Sequence, residues 1–244
     1  MLYIILIIAT LVTSIISGVL SMAGGMILMG VFGFVLSVPA AMVLHGVAQA
    51  ASNGARIWLH REHVRWSVLP PYTLGTIVVL AVFVAIQFVP DKGIVFILIG
   101  ITPFLSVNLP ARVDLNMERP AVAFLCGLVV TTAQMLAGAS GPLLDVFYVR
   151  SKLGRREVLG TKAITQTLGH IVKLIYYATL LTQLSVNLPV YVYPAVVIGA
   201  LIGNGVGKII VERMSDEQFR KIGSRVIMAV GVVYLAKGAY ELMV

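Results

Sequence analysis

Val43-Leu44-His45-Gly46-Val47-Ala48-Gln49-Ala50-Ala51-Ser52-Asn53-Gly54-Ala55-Arg56 and Gly160-Thr161-Lys162-Ala163-Ile164-Thr165-Gln166-Thr167-Leu168-Gly169-His170-Ile171-Val172-Lys173 carry one polar pattern twice, at an offset of 117 residues. His45, Gln49, Asn53 and Arg56 answer to Lys162, Gln166, His170 and Lys173, each set spaced i, i+4, i+8, i+11. At ~100° per residue these offsets fall at about 0°, 40°, 80° and 20°, so each set predicts one polar stripe along one side of an otherwise apolar helix. The register continues upstream without a gap and sets Ser21-Met22-Ala23-Gly24-Gly25 against Gly138-Ala139-Ser140-Gly141-Pro142. A Gly-rich break followed by a polar stripe, each present twice, is the pattern of a transporter built from two structural repeats.

The composition places this pattern in a bilayer. Apolar residues make up 59% of the 244-residue chain and charged residues 11%, and the mean hydropathy is +0.99. That is more apolar surface than one soluble domain buries. The net charge of +8 comes from basic residues at the ends of apolar runs, as positive-inside topology requires, and no nucleic-acid recognition motif accompanies it. There is no P-loop, dinucleotide fingerprint, G-x-S-x-G or zinc-spaced Cys/His set, so no cofactor or metal is expected. The single cysteine, Cys126, reads as a small packing residue in an apolar run. Residues 1–20 lack a basic leader and an A-x-A site and are expected to stay in the mature protein.

Full-length spans are predicted at 39–59, 67–88, 93–109, 157–180, 188–211 and 219–242. Residues 2–37 and 120–150 are apolar runs broken at Ser21–Gly25 and Gly138–Pro142 and read as helical hairpins, because Gly and Pro interrupt helices. The second hairpin has the shorter arms and need not cross the whole bilayer. The first striped helix is followed by His60-Arg61-Glu62-His63-Val64-Arg65, whereas the second is preceded by Lys152-Leu153-Gly154-Arg155-Arg156. With basic ends inside, the two run in opposite directions. The expected fold is therefore an all-α integral membrane protein of two inverted repeats, 1–112 and 113–244. Each repeat is a Gly-broken hairpin plus three transmembrane helices, in one membrane domain with both termini outside.

The Gly-rich break, the H-x3-Q-x3-N helix, the Val64-Arg65-Trp66 exit and the glycine-led Lys162-x3-Gln166 helix of the second half resemble the sulfite exporter TauE/SafE family, from about Ser17 to Ala236. The resemblance implies a bacterial inner (plasma) membrane protein moving sulfur-containing or organic anions such as sulfite, sulfonates and sulfoacetate. Gly25-Met26 departs from the longer glycine run of many relatives.

The residues themselves point to anion binding. Lys162, Lys173, His45, His170 and Arg56 lie within apolar spans, where a cation costs several kcal/mol unless it faces protein, water or a counter-charge. Snorkelling to the boundary is the rival reading for Arg56 and Lys162, and a neutral interhelical hydrogen bond for the two histidines. Gln49 and Gln166 are equivalent midspan amides, and in an inverted repeat such positions approach one another where substrate binds. Asn53 adds another amide to the stripe. At the breaks, helices restarting after Gly24-Gly25 and Gly141-Pro142 would aim backbone N–H groups at an anion, with Ser21 and Ser140 adding hydroxyls. The rival reading is close helix packing. Asp145 faces Leu28 in the repeat alignment; it is either a proton-coupling carboxylate or the counter-charge of Lys162 or Lys173.

These readings lead to a secondary transporter, an exporter of a small anion, working by alternating access around a midplane site. Its partners are the anion and the bilayer, and a homo-oligomer is compatible with both. An anion channel is the rival within transport, and an integral-membrane enzyme or a scaffold are rivals outside it. Acidification towards about pH 6 is expected to protonate His45 or His170 and strengthen anion binding.

Overall fold

A computed structural model describes residues 1–20, 23–108, 115–149, 151–183, 188–211, 213 and 215–243. The chain forms α1 (Leu2–Leu20), α2 (Ala23–Val35), α3 (Val38–His60), α4 (Leu69–Ile86), α5 (Lys92–Asn108), α6 (Pro120–Ala137), α7 (Gly141–Val149), α8 (Arg155–Gln183), α9 (Val192–Val211) and α10 (Asp216–Met243). Two short 3₁₀ turns, Arg61–His63 and Trp66–Val68, connect α3 to α4. No strand occurs among the described residues, and the protein is an all-α integral membrane protein.

Proline and glycine set several helix boundaries. Pro stands in the first turn of α3, α4 and α6, where its missing N–H has no acceptor to lose. Gly138, at φ 74°, ends α6 in the left-handed conformation that costs glycine nothing. Among the described residues, five stretches are long and apolar enough to cross a bilayer: Leu2–Val19, Trp66–Ile86, Pro120–Ala137, Val192–Ile210 and Lys221–Met243. The striped helices α3 and α8 have 23 and 29 residues. Apolar side chains such as Leu74, Ile77, Val82, Ile198, Leu201, Val232 and Val233 point outwards, as a lipid-facing surface requires.

Both expected hairpins form, and both are lopsided. The first arms, α1 and α6, have 19 and 18 residues, whereas the returning arms, α2 and α7, have 13 and 9. At 1.5 Å per residue, α7 covers about 14 Å, roughly half of the ~30 Å hydrocarbon layer. The first hairpin departs from expectation at its tip. Gly24 and Gly25 do not precede the returning helix but lie in the first turn of α2, which begins at Ala23. A Cβ on Gly24 would collide with the Thr13 carbonyl and with Ser17 of α1, so this glycine serves close packing of the two arms. Likewise Gly141 and Pro142 begin α7 and do not precede it. Ser21 and Met22, and the expected repeat boundary at 112–113, lie outside the described residues.

The packing is reciprocal. The first arm α1 packs on α9, and the first arm α6 packs on α4; α3 packs on α8, and α5 on α10. Gly46 of α3 meets His170 and Leu174 of α8, while Gly160 of α8 meets His60 of α3, so the two striped helices run antiparallel. Gly93 against Gly238 and Gly100 against Gly231 give α5 and α10 the same antiparallel relation. Cys126 is buried in a second apolar cluster with Tyr72, Val130, Leu144 and Phe147.

Candidate functional site

Because α3 and α8 cross antiparallel with their polar stripes facing, the stripes meet in the interior and not at a surface. The returning hairpin arms α2 and α7 bring their first turns to the same place. Together these elements enclose a polar cavity lined by Gly25, Met26, His45, Gln49, Asn53, Arg56, Gln134, Ala139, Ser140, Gly141, Gln166 and His170. Its volume is ≈ 20 Å³. That is room for a water or two.

Nine of the residues marked by the sequence line this cavity: Gly25, His45, Gln49, Asn53, Arg56, Ser140, Gly141, Gln166 and His170. Among the described residues, none hydrogen-bonds the side-chain amide of Gln49 or Gln166, although each lines the cavity. Gln49 rests beside Gly25 of α2. The Asn53 amide donates to the main-chain carbonyl of Gln49 at 2.9 Å, and Arg56 reaches the Asn53 side-chain oxygen at 3.5 Å. These local bonds hold the C-terminal half of the α3 stripe in place.

The two lysines do not line the cavity. Lys162 forms an ion pair with Asp145 of α7, and Asp145 is also the charged neighbour of Arg56. Lys173 is completely buried behind His45. Its ammonium donates to His45 Nδ1 at 2.7 Å and to the Gly138 carbonyl at 2.7 Å. His45 Nε2 is 2.9 Å from the Gly25 carbonyl, which fixes the tautomer: Nε2 carries the hydrogen and Nδ1 accepts from the lysine. Gly24 packs against α1, away from the lining. Ser21 is outside the described residues.

The sequence reading passed over Gln134. This buried α6 amide donates to His170 Nδ1 at 2.7 Å and accepts from the Ser140 hydroxyl at 2.6 Å. With Nδ1 an acceptor, His170 Nε2 bears the hydrogen and presents a donor. Ser140, Gln134 and His170 thus form a chain that orients a ring in the cavity wall, 5.4 Å from the ring of His45. The available signal was a lone amide inside an apolar span, expensive unless it is partnered. It was hidden because the repeat places Ser17, not an amide, at the matching position.

The arrangement offers neutral N–H donors from two halves of the molecule around a small space, with the Arg56 guanidinium in its wall and Lys173 behind His45. Among the described residues there is no group of three or more His, Cys, Asp or Glu side chains arranged to hold a metal.

Compared with known families, residues 6–234 match the model described as sulfite exporter TauE/SafE. No curated protein and no solved structure gives a significant match.

Proposed function

Because this chain belongs to the sulfite exporter TauE/SafE family, a family of transporters, we propose that it carries a small sulfur-containing or organic anion across a bacterial inner membrane. The carrier alternates access around the cavity between α3 and α8, and sulfite, sulfonates and sulfoacetate are the substrate class. The observation that carries this reading is the pair Gln49 and Gln166: equivalent amides of the two stripes, facing one small cavity without a protein partner among the described residues. An oxyanion satisfies both amides. Unpaired amides in a membrane interior are otherwise costly.

Inverted repeats, 1–112 and 113–244, are the simplest source of this arrangement. The antiparallel α3–α8 and α5–α10 pairs and the reciprocal packing of α1 on α9 and α6 on α4 support them. A pseudo-two-fold axis in the membrane plane then passes between Gln49 and Gln166. The basic flanks put Arg61 and Arg155 in the cytoplasm and both termini outside, with export as the direction. Cysteine substitution at Arg61 and Arg155, labelled in intact cells, should show both protected from an impermeant reagent. Labelling of both from outside would exclude this topology.

Binding is tested with purified protein, sulfite, sulfoacetate and methanesulfonate. A ligand held only by the folded state raises the unfolding temperature. At least one of these anions should do so, and Gln49→Ala with Gln166→Ala should abolish the shift. An unchanged shift in the double variant would move the site elsewhere.

A further inference from the structure

Lys173 differs from the other interior cations in having no carboxylate beside it among the described residues. Lys162 has Asp145, and Asp145 is also the acid near Arg56. Around Lys173 the neighbours are His45 of α3, the Gly138 carbonyl at the α6–α7 turn and, on its own helix, His170. The other groups packed around α8 are neutral or engaged elsewhere: Gln134 holds His170, Tyr177 donates to the Met135 carbonyl, and Tyr72 of α4 donates to the Thr165 carbonyl. His60 and Val64, which flank the Arg61–His63 turn, meet α8 at Gly160, towards its opposite end. A buried ammonium held only by a neutral imidazole and a carbonyl lacks the charge that would offset its desolvation. An anion in the adjoining cavity supplies that charge.

We propose that Lys173 and His45 form a proton-binding site coupled to the anion site, so that one proton and one anion bind together. This rests on the anion-carrier reading above. His45 links the two sites, since its ring lines the cavity while its Nδ1 takes the Lys173 hydrogen bond. For the proton to leave, a Lys173 N–H bond breaks as an Nδ1–H bond forms on His45. The imidazole then gives up its Nε2 proton to water in the cavity as its hydrogen bond to the Gly25 carbonyl breaks, and a proton returns by the reverse steps. No electron is exchanged and no other reactant is needed. The opposite corner cannot play this part, because Lys162 and Asp145 neutralise each other whether or not an anion is present.

The test counts protons. Titration calorimetry of the full-length protein in a membrane mimetic, with methanesulfonate or sulfite as probe, is run in buffers of differing ionisation enthalpy. Methanesulfonate, the anion of a strong acid, does not titrate near neutral pH, so any proton taken up belongs to the protein; for sulfite its own ionisation is subtracted. Wild type should take up as much as one proton per anion, with affinity falling about tenfold per pH unit on the alkaline side. Lys173→Arg, which keeps its charge across this range, should bind with no proton uptake and pH-independent affinity. Lys173→Met serves as the second variant should arginine not fit; it should bind weakly and also without proton uptake. Anion binding by wild type with no proton uptake, or uptake that persists in Lys173→Met, overturns the coupling while leaving the anion site standing. Failure of both probes to bind refutes the anion site itself and the coupling with it.

Discussion

At one end of the cavity Lys162 of α8 meets Asp145 of α7, with Arg56 of α3 nearby; at the other, Lys173 of α8 meets His45 of α3 and a backbone carbonyl. The sequence repeat makes these ends equivalent: His45 answers to Lys162, and Arg56 to Lys173. They differ because one acid, Asp145, stands where the first repeat has Leu28. One end therefore has one acid for its two cations, while the other has none among the described residues. A duplicated scaffold can thus keep the geometry of a site symmetric and still make its electrostatics directional through a single substitution.

The sharpest way to break this contrast is to remove the acid. Asp145→Leu strands Lys162 in the interior, and loss of one partner from a buried pair costs about 3 kcal/mol. Thermal unfolding should show a large drop in stability, recovered in good part by adding Lys162→Met. Equal stability of Asp145→Leu and wild type would mean that the pair is not a structural counter-charge.

The next effect falls on binding and treats the two ends alike. Gln49→Ala and Gln166→Ala should each weaken anion binding by about 1–2 kcal/mol, or about 5- to 30-fold, the scale of a lost hydrogen bond to a charged group. Stability should hardly change, because neither amide supports another protein group. Equilibrium binding and unfolding on the same samples separate the two quantities. A loss of stability without a loss of affinity would make the amides interhelical struts.

The smallest expected effect sharpens the comparison between the histidines. His170 is oriented by Gln134, His45 by Lys173. Gln134→Leu should leave the fold intact and reduce affinity by about 1 kcal/mol through a freed His170 ring. Affinity that falls as far as in Gln166→Ala would instead make Gln134 a direct ligand.

Periodicity made much of this legible. The i, i+4, i+8, i+11 spacing fixed two striped helices, opposite basic flanks predicted that they run in opposite directions, and the Gly-rich breaks predicted two hairpins. Other features needed tertiary contacts. A helical wheel puts His45 at about 0° on its stripe and Lys173 at about 20° on the matching one, so both look cavity-facing. Only the crossing of α3 over α8 places the lysine behind the histidine. Gly24 read as a break because glycine does both jobs, and its contact with Thr13 is visible only once α1 and α2 are packed. The choice of Asp145 for Lys162 over Lys173 depended on where a short returning arm ends, which sequence spacing does not encode.

The central claim, that an anion is carried by alternating access around the α3–α8 cavity, is tested most directly by counterflow in proteoliposomes. Vesicles loaded with unlabelled sulfite should accumulate external labelled sulfite transiently above equilibrium, with a saturable initial rate, and Gln49→Ala with Gln166→Ala should abolish the overshoot. Entry that rises linearly with concentration, shows no overshoot and is accompanied by single-channel currents would contradict the account and make the protein a pore.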